Sequence, residues 1–182
     1  MGWHHGSRRA TRTKRARELL TELMPTLLKR LADTANPDAA FIKFNDFLLN
    51  LPAGVQIFSL FNQNPKLLDL IADIMGSAPT LAESLSKSPH LLDIVLYSDF
   101  YGRLPGLIEL KLQLADTLRH TEDFEERMHL LQAFRNEKQF QAGVQLLKAL
   151  ITPPQAGYFL SDLAETVIME TLVSVMRSLA AS

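Results

Sequence analysis

Asp162 and Ala164 occupy the places where a metal-binding carboxylate pair would be sought, in Ser161-Asp162-Leu163-Ala164-Glu165. Nucleotidyl transfer uses two carboxylates two residues apart on a strand. Both then project to one side and hold Mg²⁺ at the transferring phosphate. Here the second position is alanine, the preceding pair is Phe159-Leu160 rather than Gly-Ser, and the surrounding pattern is helical, which points 162 and 164 apart. No catalytic residue is expected on that ground. The histidines are His4, His5, His90, His120 and His129. None has a histidine partner at helical ligand spacing or an ordered Asp/Glu set around it, so no metal ligand is expected. Glu125 and His129, four apart, read as an exposed helix-face pair. No Gly-rich phosphate loop joins a strand to a helix, so no cofactor-binding residue is expected either. The chain has no cysteine, which excludes disulfides, thiolate zinc sites and cysteine nucleophiles, and suits a reducing cytosol.

The densest charge lies near the N-terminus: Arg8, Arg9, Arg12, Lys14, Arg15 and Arg17. Residues 1–30 hold eight Lys and Arg against two Glu, a balance of +6, and the remainder balances at −7. Such a stretch suits nucleic acid, a membrane surface or an acidic protein. The cluster has no interleaved aromatic beyond Trp3 and no dimer signal, so a solvated helix or a contact to an acidic protein is the better reading, and nucleic acid is not expected. No apolar run is long enough to span a membrane, since Leu163–Val175 is broken by Glu165 and Glu170. No apolar core follows the N-terminal charges as a signal peptide requires. A cytoplasmic location is expected.

The elements that must position these residues are helical nearly throughout. With 182 residues and 47% hydrophobic composition, the chain reads as one all-α domain, a bundle of short capped helices followed by two or three long ones, without a sheet. A basic helix kinked at Pro25 is predicted over 8–34, with Leu19, Leu20, Leu23, Leu27, Leu28 and Leu31 on one face. A cluster of short helices is predicted over 37–101, and long helices over 105–182. Two phrases open short helices, Asn64-Pro65-Lys66-Leu67-Leu68-Asp69 and Ser88-Pro89-His90-Leu91-Leu92-Asp93. Each offers an N-cap side chain, then proline at the first position. Gly76 is expected as a C-cap, and Thr121 as the cap of a long helix with an acidic first turn. Residues 108–114 alternate as a strand would, yet Leu107, Leu110, Leu114 and Leu118 fit a helix stripe. A lone strand leaves its backbone groups unpaired, so helix is predicted. Thr152-Pro153-Pro154-Gln155 predicts a capping box. From Leu160 to Leu179, including Leu163, Val167, Ile168, Leu172 and Val175, one apolar face is expected.

The ordered phrases LTELMPTLL, LPAGVQIFSLF, NPKLLDLIADIMGSAPTLAESLSKSPHLLDIVL, AFRNEKQFQAGVQLL and FLSDLAETVI resemble the bacterial bifunctional glutamine synthetase adenylyltransferases/adenylyl-removing enzymes. The resemblance runs from about Trp3 to Arg177 and is strongest in the paired helix starts. It implies a central helical segment of a longer enzyme, following one nucleotidyltransferase domain and leading into a second that is absent here. The Gly-Lys-Leu-Gly and Ser-Asp-Leu-Asp-Leu signatures of that domain are not in this sequence, so no family catalytic residue maps onto it. Gln145 departs from the arginine expected in many relatives.

What the resemblance implies is a non-catalytic segment that positions or regulates the adenylylating domain. It further implies ATP and Mg²⁺ as cofactors of the parent, none in this chain, and partnership with the neighbouring nucleotidyltransferase domains, glutamine synthetase and the PII signal protein. The alternative is a stand-alone helical adaptor or regulator binding an acidic partner through the basic N-terminal helix.

Overall fold

The computed structural model describes residues 9–51 and 53–180. Among these residues there are nine α-helices, two short 3₁₀ turns (Arg9–Thr11 and Ser98–Tyr101) and no strand. The chain divides into two compact units, residues 1–92 and 93–182.

The first unit holds α1 (Lys14–Ala32), α2 (Pro37–Asn50), α3 (Gly54–Gln63), α4 (Pro65–Ser77) and α5 (Pro79–Lys87). Helix α1 begins at Lys14 rather than near 8, because the Thr13 hydroxyl accepts from the Ala16 N–H and fixes the start there. Arg8 lies outside the described residues. The helix runs on through Pro25 and buries Leu19, Leu20, Leu23, Leu27 and Leu31, while Leu28 faces outward. Asn36 caps α2 through its side chain, with Pro37 at the first position. Helix α1 packs on α3 and α4, and α2 on α4 and α5. Phe44, Phe47, Phe58, Phe61, Leu68 and Ile71 are fully buried in this core, each side chain contributing about 1.5–3 kcal/mol of transfer free energy.

Three expected helix ends form differently. Pro65 and Pro79 do open helices, but Asn64 makes no cap bond. Its amide instead donates back to the Leu60 carbonyl and closes α3. At Ser88 the chain makes only a turn before the four-residue α6 (Leu91–Ile94), and no side-chain bond from Ser88 caps a helix. Gly76 is not a C-cap, since α4 continues through Ser77. Its lack of a side chain serves close packing, because a Cβ there would stand 2.6 Å from the Thr34 side chain. Gly54 serves likewise, its Cα face lying against the Ala10 carbonyl.

The second unit holds α7 (Leu107–Thr117), α8 (Phe124–Leu147) and α9 (Pro153–Ala180). The segment with strand-like alternation is helical. It buries Leu110 and Leu114 and leaves Ile108 and Leu112 outside. Helix α9 packs on both α8 and α7. Leu110, Leu114, Leu118, Leu131, Phe134, Ala142, Phe159 and Leu163 form their shared core. Helix α8 is capped by Asp123, whose carboxylate accepts from the Glu126 N–H, and not by Thr121. It is continuous through Gly143. It ends in a Schellman motif: Leu150 N–H donates to the Gln145 carbonyl, Ala149 N–H donates to Leu146, and Ala149 takes φ 54°. The Thr152–Gln155 capping box forms in both directions.

The expected apolar stripe of α9 is divided between an inner and an outer side, with Leu163 and Val167 meeting the core. The buried side carries Ala156, Phe159, Leu163, Thr166 and Ser174, whereas Leu160, Ile168, Leu172 and Leu179 are exposed. The reason is a polar attachment on the inner side, described next.

Candidate functional site

Arg127 lies in the second turn of α8 and is held by four bonds. Its guanidinium donates to Glu170 Oε1 at 2.6 Å, Ser174 Oγ at 3.2 Å, the Leu118 carbonyl at 3.3 Å and the Thr121 carbonyl at 2.9 Å. The arginine side chain is 12% exposed and that of Glu170 28%. One planar fork thus ties the α7–α8 turn, α8 and the second half of α9 together. The sequence reading passed over Arg127. Its signal would have been an arginine in the first turns of α8 with an acid, Glu170, on the facing helix.

A second polar attachment fixes the loop before α7. Gln145 is buried, and its amide donates to the Phe100 carbonyl at 2.7 Å and the Gly102 carbonyl at 2.9 Å. Gln141 donates to Phe100 as well, at 3.0 Å. A neutral amide meets both carbonyls without needing a carboxylate partner, so glutamine is satisfied at 145 where the resemblance led to an expected arginine. Beyond Gly102, Arg103 pairs with Glu109 at 2.6 Å, and Glu109 also accepts from the Gly106 N–H at 2.8 Å. The Arg103 bond, then the Gly106 bond, hold the Glu109 carboxyl below its ordinary value, and Glu109 raises Arg103 in turn.

Two clefts flank this loop. One, of about 340 Å³, is lined by Tyr97, Asp99, Arg103, Glu137, Lys138 and Gln141, among others. Lys138 stands 5.4 Å from the Phe134 ring centroid, and burial lowers its pKa. The other, of about 490 Å³, is lined by Tyr101, Gln145, Leu150, Tyr158, Phe159 and Asp162, among others. Burial raises the pKa of Tyr101.

Asp162 therefore reaches a cleft, but it does so from the middle of α9, with Ala164 exposed two residues on. At 100° per residue those positions point about 200° apart. The adjacent acid, Glu165, is occupied by Lys111 of α7 at 2.8 Å. Among the described residues no group of three or more His, Asp and Glu is placed to hold a metal ion. His90, His120, His129 and Glu125 are exposed, while Trp3, His4 and His5 lie outside the described residues. In the basic cluster Arg17 donates to the Thr11 and Arg12 carbonyls, and Glu18 lies 3.8 Å from Lys14 and 3.6 Å from Arg15. Part of that positive charge is thus committed inside the unit. No helix among the described residues is long and apolar enough to cross a membrane.

The family profile described as glutamate-ammonia ligase adenylyltransferase matches residues 68–182. The chain is 43% identical over 180 residues to the bifunctional glutamine synthetase adenylyltransferase/adenylyl-removing enzyme of Mesorhizobium japonicum, covering 99% of this chain and 18% of that protein. It is 41% identical over 177 residues to the enzyme of the same description from Brucella melitensis, covering 97% and 18%. With that of Caulobacter vibrioides it shares 37% identity over 169 residues, covering 92% and 16%. The chain thus spans less than a fifth of the length of these relatives. No solved structure matches it.

Proposed function

Because the chain belongs to the glutamate-ammonia ligase adenylyltransferase family, we propose that it acts as a non-catalytic helical segment of an enzyme that adenylylates and deadenylylates glutamine synthetase. On this reading its two units serve as one helical segment that positions or regulates the adenylylating domain, in the cytoplasm. Glutamine synthetase, the PII signal protein and the neighbouring nucleotidyltransferase domains are its proposed partners.

The observation that supports a non-catalytic role is the setting of Asp162. It stands alone on a helix, with alanine at the second carboxylate position and the nearby Glu165 engaged by Lys111. ATP and Mg²⁺ are proposed for the parent enzyme. The residues here do not fit them, since two carboxylates on one side of the backbone are needed to hold the metal at a transferring phosphate, so no step of the transfer is assigned to this chain. Incubation of the chain with glutamine synthetase, labelled ATP and Mg²⁺ is expected to leave the synthetase unlabelled. Label above background that disappears in Asp162→Asn would overturn the reading.

A further inference from the structure

In the second half of α9 several polar residues lie inward and most of the large apolar residues outward, while Val167 packs on the core. Thr166, Glu170 and Ser174 lie on the side that meets α8, with Glu170 and Ser174 bonded to Arg127. On the opposite side Ile168 is 65% exposed and Leu179 72% exposed. Between Glu165 and the end of the helix the outward arc holds Ile168, Leu172, Val175 and Leu179, flanked by Met169 and Met176, with no charge among them. The steps 168, 172, 175 and 179 are four, three and four, the spacing of a helix seam that receives another helix.

The neighbouring α7 also exposes apolar residues. Lys111 and Glu165 join the two helices at 2.8 Å. One turn from Lys111 the exposed Ile108 projects, next to the exposed Leu112. Ile108, Leu112, Ile168, Leu172 and Leu179 are each more than half exposed, and large apolar residues gathered on a surface in this way mark a contact site.

We propose that this face seats an apolar helix from elsewhere in the longer polypeptide of the enzyme, as an intramolecular partner. The inference rests on the functional reading above. Three observations favour that occupant. The four-three-four spacing fits a helix rather than a strand or a loop. The outward arc of α9 beyond Glu165 lacks the charges that steer and select a diffusing partner, and the nearby Lys111 and Glu165 are engaged with each other. The relatives carry more than four-fifths of their length outside the matched region, and a covalently attached helix acts at high effective concentration without steering.

The test uses the intact enzyme that contains this segment, with the photo-crosslinker p-benzoyl-phenylalanine at position 172 and, as control, at position 125 on the exposed side of α8. The expected result is an intramolecular crosslink from 172 to an apolar helix outside these 182 residues, and none to that helix from 125. Leu172→Glu is expected to leave the thermal midpoint of the 182-residue chain unchanged and to remove amide-exchange protection over 168–176 in the intact enzyme. A crosslink between two copies at 172, an uncrosslinked 172, or unchanged protection would overturn the inference. Label transfer by the segment alone would overturn the functional reading and leave the crosslink result untouched, so the two failures are distinguishable.

Discussion

The Arg127 guanidinium donates to the Glu170 carboxylate at 2.6 Å, joining the start of α8 to the second half of α9. This pair sets which face of α9 turns inward, because a largely buried arginine must keep its carboxylate partner beside it. Replacing Arg127 with Met leaves Glu170 without its cation and the Thr121 carbonyl without its donor, while the Leu118 carbonyl keeps the Thr121 N–H. A loss of about 1.5–3 kcal/mol is expected, the worth of charge-assisted bonds, because the Glu170 side chain left behind is 28% exposed. The double variant Arg127→Met with Glu170→Leu should recover part of it. Urea unfolding of the three variants checks this, and equal stability of wild type and Arg127→Met would show that the pair is a surface contact.

Gln145→Ala removes two donors from the Phe100 and Gly102 carbonyls, of which the Phe100 carbonyl keeps Gln141. Because Phe100 stays paired and Gly102 is an exposed residue, a cost of about 0.5–1.5 kcal/mol, the net worth of a hydrogen bond, is expected. Amide exchange should quicken first over 101–106, the loop between the two clefts.

Ala149 holds a left-handed conformation at φ 54°, where a Cβ is unfavourable by about 1–2 kcal/mol. Ala149→Gly is expected to raise stability by a large fraction of that. The gain is reduced by the greater freedom of glycine in the unfolded chain. Ala149→Val should lower stability. Thermal midpoints of both variants decide it.

The helix starts separate into those capped by side chains and those that are not. Thr152→Ala breaks a two-way capping box and should cost roughly 0.5–2 kcal/mol. Ser88→Ala breaks no capping bond and should fall within about ±0.5 kcal/mol of wild type. Equal losses in the two would contradict this distinction.

Lys138 has its pKa lowered from the ordinary 10.5, chiefly by burial, with the Glu137 charge opposing. The unfolded chain therefore binds more protons than the folded one between the folded value and about 10.5. Stability contributed by this group should rise with pH across that window and be absent below it. Lys138→Met should flatten that rise. The comparison is of unfolding midpoints of the two proteins at several alkaline pH values.

The sequence by itself determined the helical class and most of the helix positions. Caps and prolines are local chemistry. Asn36-Pro37, Pro65, Pro79 and Thr152-Pro153 fix backbone angles and orphaned N–H groups within a few residues, wherever the rest of the chain lies. The leucine spacing of α7 outweighed its alternation for the same reason, since a helix satisfies its own backbone and a strand needs a neighbour. The candidate site was legible only as an absence: the alanine at 164 can be read without coordinates. Tertiary structure decided what depends on distant partners. Asn64 turned its amide to Leu60, Thr121 gave its carbonyl to Arg127, and Gln145 reached back more than forty residues to Phe100. It also decided the rotation of α9. Periodicity marks an apolar stripe but not the direction it faces. That direction was set by a desolvated arginine on α8, whose need for Glu170 and Ser174 turned Ile168, Leu172 and Leu179 outward.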